Sequence, residues 1–295
     1  MGTIITLIIA LFYGCISYYL FLPALTLRSF GFCIWLVSVL AVLGLGLFWD
    51  KVLWASDGSS VKSGRKSARY AVIFCMITVI LFIAVVLFRI SSSAIFHART
   101  FANRIEVQEG VFEEEVPTLR DIKNIPLMDT DSASILGDRV IGSLSDVVSQ
   151  YHVSDTYTTI YYQGKVVKIA PLQYNGPFKY FSNRSSGIPG YILVNTETNE
   201  ADFVKMEDGI KYSPSAYFSY DLHRMLRMKY PGKIFHEYSF QIDEEGHPYW
   251  AVACRSLRTW YSAYVIEEVI LADAVTGETQ IWLCGKFSSA DQCKW

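Results

Sequence analysis

Charge is what this chain lacks where it begins. From Thr3 to Leu27 there is not one Asp, Glu, Lys or Arg, and over all 295 residues only 18% are charged, cancelling to a formal net charge of −2. That balance excludes the basic stripe a nucleic-acid surface needs. No block of like charge, heptad or Gly-x-y period occurs, which leaves out charged tails, coiled coils and collagen-like rods. Motifs of chemistry are missing too: no G-x-S-x-G, no G-x-x-x-x-G-K-[ST], no H-E-x-x-H or H-x-H. Hydrolase, P-loop and zinc-protease readings therefore have no motif to stand on. C-x-x-C is absent as well, and thiols without a close His fit a zinc site poorly.

What is present in the first 92 residues is grease. Three apolar runs, Thr3 to Leu27, Ser29 to Trp49 and Tyr70 to Phe88, are interrupted only by short polar stretches. At about 1.5 Å per residue, each is long enough to cross a hydrocarbon core of about 30 Å. Backbone groups in that medium must satisfy one another, so the runs are expected to be helices. They account for a mean hydropathy of +0.26. The first is read as a retained anchor rather than a signal peptide: its start, Met1-Gly2-Thr3, has no basic side chain, and no A-x-A-like site precedes the second run.

Loop charge sets the orientation. The segment 51–69 holds Lys51, Lys62, Arg65, Lys66 and Arg69 against one acid, Asp57, whereas the loop after the first run offers only Arg28. Short basic loops stay cytoplasmic. Three spans then put the N-terminus inside and everything beyond Arg89 outside, with Arg89 snorkelling to the interface. The cysteines divide three and three. Cys15, Cys33 and Cys75 fall in the spans as small apolar fillers. Cys254, Cys284 and Cys293 fall in the outer part, where oxidation is permitted; Cys284–Cys293 and Cys254–Cys284 are competing pairs, and one thiol is left over.

The remainder is expected to be α+β: a juxtamembrane linker at 93–128, α+β units at 129–210 and 211–285, and a polar tail at 286–295. Ala133, Leu136, Val140, Ile141 and Leu144 recur at amphipathic-helix spacing, with Asp131 or Ser132 as N-cap. Strands follow over Val148–His152, Thr156–Tyr162 and Lys165–Ile169, the last two turning at Gln163-Gly164. A loop carries Asn175-Gly176-Pro177 and Phe178–Phe181. Tyr191–Val194 and Asp202–Met206 make a hairpin. The second half retraces this order. Tyr212 to Ala216 opens a helix with Phe218, Leu222, Met225 and Leu226 on one face, stopped at Pro231-Gly232. The run Ile234 to Ile242 alternates, with His236 in the apolar phase, and turns at Asp243-Glu244-Glu245-Gly246 into Tyr249–Ala253. Tyr264–Ala272 and Thr279–Leu283 form the last hairpin.

The halves superpose in sequence. Ser132-Ala133 falls on Ser215-Ala216, Gly164 on Gly246, and Thr198-Asn199-Glu200 on Thr276-Gly277-Glu278, at a period of about 80 residues. Each unit needs its helix to cover one face of an antiparallel sheet. The closing hairpin of the second half reads Val269-Ile270-Leu271-Ala272-Asp273-Ala274-Val275-Thr276-Gly277-Glu278. With the helix and the acid-and-Gly turn before it, this resembles the PepSY and PepSY-like modules. The first unit has Asn195 for the Asp and Asn199 for the Gly, and Asn tolerates the left-handed turn. Three spans ahead of tandem units are similar to bacterial multi-span membrane proteins. The resemblance implies an extracytoplasmic binding or regulatory module, one that restrains peptidases or acts in envelope maintenance, and it carries over no catalytic residue.

Candidates for chemistry are few. Asp129, Asp131 and Asp138 invite a cation, but acids at this place also cap a helix and complement its dipole. His97 lies just past the third span, His152 on a strand edge, His223 on the flank of its helix, His236 in the core and His247 exposed in a turn. Aromatic side chains are the feature most suited to binding a peptide or glycan. They group as Tyr161, Tyr162, Tyr174, Phe178, Tyr180 and Phe181, and as Tyr249, Trp250, Trp260, Tyr261 and Tyr264, most of them expected in the cores. The expectation is a non-enzymatic anchor with no catalytic, cofactor or metal residues, no cofactor, the lipid bilayer and a protein or envelope component as partners, and no nucleic acid. The competing readings are a membrane-embedded transporter or enzyme subunit, with Gly14, Gly31, Gly44 and Gly46 packing on a partner helix, and a tethered hydrolase using the outer carboxylates.

Overall fold

The computed structural model describes residues 2–56, 61–93, 95–96, 98–99, 128–257 and 264–283. These form two compact units, one built on the N-terminal helices and the other on two β-sheets.

Helices α1 (Gly2–Phe21), α2 (Phe30–Ser56) and α3 (Val61–Ser91) make the first unit. Their apolar stretches Thr3–Phe21, Phe30–Trp49 and Arg69–Ser91 are long and apolar enough to cross a membrane. The first helix stops six residues short of its apolar run. Leu22, at φ 46°, precedes Pro23, and a residue before proline is pushed out of the helical region. Large apolar side chains on these helices, Leu11, Phe12, Phe21 and Ile80 among them, are exposed, which suits a lipid environment. What holds the helices together is small and polar. The Trp35 indole donates to Ser17 Oγ at 3.0 Å, and Tyr13 hydroxyl donates to Ser38 Oγ at 3.3 Å. Gly46 admits Thr6, and Gly44 admits Phe74 and Cys75, so closely that an added Cβ would collide. Gly14, Gly44 and Gly46 thus serve contacts inside this bundle, where close approach gives van der Waals packing. The basic segment 51–69 is helical at both ends, in α2 and α3.

The second unit opens with α4 (Thr130–Ser143), whose buried positions Ala133, Gly137 and Ile141 are spaced one turn apart. Its cap is Asp129 rather than Asp131 or Ser132. Asp129 is extended, and its Oδ1 accepts from the Ser132 amide at 2.8 Å; a capping acid serves the amide three residues on. A short turn of helix α5 (Ser145–Val148) then replaces the start of the expected first strand.

Strands β1 (Tyr151–Val153), β2 (Thr158–Tyr162), β3 (Lys165–Tyr174), β4 (Ile188–Asn195) and β5 (Glu200–Ile210) form an antiparallel sheet in the order β1-β3-β4-β5, with β2 also on β3. β1 and β2 lie end to end along one side of β3. The break between them has a cause in the sequence. Pro171 turns its carbonyl to that side, where Ser154 donates to it at 3.0 Å, but proline has no N–H to return. β3 and β4 are the core strands, and Ile169, Leu172, Ile188, Ile192, Val194 and Ile210 are fully buried. Each such side chain contributes about 1.5–3 kcal/mol. α4 packs on β4 and β5. Between β3 and β4 runs α6 (Pro177–Asn183), with proline at its first turn, where a loop was expected.

The second sheet follows α7 (Leu222–Lys229) and has the order β6-β7-β8-β9, from β6 (Phe235–Ile242), β7 (Pro248–Leu257), β8 (Tyr264–Asp273) and β9 (Thr279–Leu283). The approach to α7 is not the helix expected from Tyr212. Ser213 and Ser215 turn the chain, a 3-10 turn covers Phe218–Tyr220, and Asp221 Oδ1 accepts from the Arg224 amide at 2.7 Å to start the helix. Leu222 and Leu226 are buried as expected, and Phe218 is exposed. Both sheets are thus antiparallel meanders preceded by a helix. They belong to one unit: the Tyr191 ring of β4 packs tilted against Phe240 of β6 with centroids 5.7 Å apart, and its hydroxyl donates to Gly246 O at 2.9 Å.

Candidate functional site

The closing turns of the two sheets share three hydrogen bonds at matching positions. In the second, Asp273 Oδ1 accepts from the amides of Val275 (2.7 Å) and Thr276 (3.0 Å), and Gly277 donates to Asp273 O at 3.0 Å. In the first, Asn195 Oδ1 accepts from Glu197 (2.9 Å) and Thr198 (3.3 Å), and Asn199 donates to Asn195 O at 3.1 Å. Gly277 has φ 76° and Asn199 φ 59°, the left-handed region that glycine and asparagine enter most readily. Substituting Asn for Asp and Gly therefore preserves the turn.

A carboxylate at that place gains a further partner. His247 Nε2 stands 3.2 Å from Asp273 Oδ1, joining the β6–β7 turn to the β8–β9 turn. Burial would raise the Asp273 carboxyl, but the Thr276 and Val275 amides, the Thr276 hydroxyl and His247 together hold it below the usual carboxylate value. His247 is therefore half-exposed and engaged rather than an idle turn residue. His236 is also displaced: a bulge between Phe235 and Tyr238 shifts the phase of β6, so Phe235 turns to the helix and His236 to solvent. A one-residue slip reverses every face beyond it.

His223, expected on a flank, points inward instead. Its Nδ1 shares a hydrogen bond with Tyr238 hydroxyl, and Arg227 lies 4.5 Å over the Phe235 ring. Burial, then Arg227, holds the imidazole below 6.5, while burial raises the Tyr238 phenol. Both shifts favour the neutral form of the group, and burial makes the Tyr238 phenol a weaker acid. His152 is exposed and meets Asn175 Oδ1 at 2.7 Å. His97, Cys284, Cys293, Trp260 and Tyr261 lie outside the described residues, so the proposed disulfide pairs do too; Cys254 is buried on β7. Asp129, Asp131 and Asp138 stay on one helix, the first as its cap. Among the described residues no three His, Cys, Asp or Glu side chains converge on one point.

The aromatic groups separate by depth. Tyr174, Tyr180 and Trp250 are core residues, whereas Tyr161, Phe178 and Phe181 are exposed. The feature that periodicity did not reveal is β9. It is an edge of its sheet, and Ile281, Trp282 and Leu283 are exposed in succession, on both faces. An apolar edge of this kind is a template for pairing with another strand. The only hint in the sequence is that Ile281-Trp282-Leu283 does not alternate.

The fold and this edge define a class: an α+β domain of two antiparallel sheets, carried on a chain with three helices able to span a membrane. No family model matches the chain, and neither a curated protein nor a solved structure does.

Proposed function

We propose that the protein is a non-enzymatic, membrane-anchored binding or regulatory protein whose α+β domain stands outside the cytoplasmic membrane of a bacterium and recognises a protein or envelope partner. The observation that carries this reading is the apolar edge of β9. An extended segment adding there would gain a ladder of main-chain hydrogen bonds, and Ile281, Trp282 and Leu283 would select its side chains. Support for the orientation comes from the Lys/Arg-rich segment 51–69. The two meanders with matching Asx turns support a duplicated PepSY-like unit, and with it a role in restraining peptidases or maintaining the envelope. Against a transporter or embedded enzyme, the three apolar stretches hold no Asp, Glu or His, which intramembrane chemistry ordinarily needs.

The test is photocrosslinking from position 282 in intact cells, with mass spectrometry of the adducts. Proline is placed at Gln280 and at Ile281 in turn, because only one of two adjacent amides faces the open edge. The variant that keeps its thermal unfolding should lose the adducts; adducts that persist in it rule out strand addition. A reporter fused after Trp295 reads the orientation, and cytoplasmic activity there overturns the extracytoplasmic placement.

A further inference from the structure

Two segments of the α+β unit meet in an exposed aromatic patch. α6 brings Phe178, which is 83% exposed, and Phe181; the turn before α7 brings Tyr217 and Phe218, the latter 54% exposed. Tyr180 lies buried beneath them. Its hydroxyl donates to Tyr217 O at 2.8 Å, and its ring lies 5.3 Å from both Phe181 and Tyr217. Phe181 and Phe218 are 6.1 Å apart. The arrangement is held against local preference: Phe218 has φ 56°, a left-handed conformation that is an outlier for a bulky side chain. The fold thus maintains a strained backbone and leaves the ring in water.

Within the two segments the charge has one sign, with Asp221 just beyond the second. Lys179 and Arg184 are on α6 and just past it, and there is no acid from Gly176 to Ser186 or from Tyr212 to Tyr220. Phenylalanine and tyrosine rings with flanking Lys and Arg are the composition that settles into the boundary of an anionic bilayer. The occupant is also at hand, because a chain with membrane-spanning helices keeps its domain at high effective concentration near lipid. We propose that Phe178, Phe181, Tyr217 and Phe218, with Lys179 and Arg184, form a lipid-docking patch that rests the α+β domain on an anionic membrane surface. It depends on the membrane anchor, and not on which partner β9 recognises.

The full chain is placed in nanodiscs of phosphatidylglycerol with brominated acyl chains, carrying Phe178→Trp or Phe218→Trp, with Tyr161→Trp as a control elsewhere in the same unit. Wild-type emission is subtracted. The added emission at 178 and 218 should be lost to bromine quenching and that at 161 retained; Lys179→Glu with Arg184→Glu should restore it. Phe178→Trp leaves the strained turn untouched, so it remains decisive if Phe218→Trp fails to fold. Unquenched emission at both positions overturns the proposal, and a blue shift without quenching assigns the patch to a protein surface instead. Equal quenching in brominated phosphatidylcholine, unaffected by the charge reversals, overturns it as well.

Discussion

Replacing Gly277 by alanine should destabilise the α+β domain out of proportion to one methyl group. Two effects add. At φ 76° a side chain in the left-handed region costs about 1–2 kcal/mol. A Cβ there would also stand 2.5 Å from Cε2 and Cζ of Tyr212. The Tyr212 main chain cannot retreat: its amide donates to Ala274 O at 2.9 Å, and its carbonyl accepts from the Trp250 indole at 2.9 Å. Overpacking of this kind costs about 1–3 kcal/mol. The sum, about 2–5 kcal/mol, lowers the melting temperature of a domain of about 150–250 residues by roughly 4–20 °C. Gly277→Asn isolates the contact, since asparagine accepts the backbone conformation but keeps the Cβ. Tyr212→Ala in the Gly277→Ala background should recover the contact share alone, giving a double-mutant cycle with a coupling of about 1–3 kcal/mol. In the matching turn, Asn199→Gly should be neutral or stabilising by up to about 1 kcal/mol. Thermal unfolding of the full chain in nanodiscs, followed by fluorescence and far-ultraviolet circular dichroism, reads these four variants and Tyr212→Ala alone. Equal losses for Gly277→Ala and Gly277→Asn, with no rescue by Tyr212→Ala, would refute the reasoning.

Tyr157 and His223 are further levers. The Tyr157 hydroxyl is buried without a hydrogen-bond partner among the described residues and fills the space a Cβ at Gly137 of α4 would need, while burial, helped by Asp138 and Asp155, pushes its phenol up to about 12. Tyr157→Phe should therefore raise stability by about 1 kcal/mol, because an orphaned buried donor costs about 1–3. Gly137→Ala should lower it despite alanine's better helix propensity, and melting curves of the two variants check both signs. For His223, whose imidazole is held below 6.5 by burial and Arg227, the unfolded chain takes up the proton first. Stability is then complete above pH about 6.5 and declines as pH falls toward the lower folded value. Asp221 opposes this and Arg224 reinforces it. Melting temperatures between pH 7 and pH 5 should fall less in His223→Gln than in the wild-type chain; parallel curves would count against the buried imidazole.

The parts of the fold that were legible are those where one physical demand acts on consecutive residues. A hydrocarbon core tolerates no interruption, so the spans could be read from Thr3, Ser29 and Tyr70 onward, and only Pro23 shortened one. Asx turns depend on a side chain bonding amides two and three residues on, so Asn195 and Asp273 announced their hairpins. What escaped depends on atoms distant in sequence. The bulge that turns His236 outward arises from how Phe235 pairs with Cys254, and nothing in the alternation of Ile234 to Ile242 encodes it. The break between β1 and β2 is imposed by Pro171 on the neighbouring strand. Phe218 shows the limit most clearly. Its spacing from Leu222, Met225 and Leu226 fits a helical core face, yet Ser213 and Asp221 satisfy the backbone locally and postpone the helix to Leu222. Local hydrogen bonds from Ser and Asp compete with helix formation, and here they free the ring to face outward. The same competition that defeated the periodic reading therefore creates the exposed aromatic surface beside α6, so the error in reading and the candidate lipid contact have one cause.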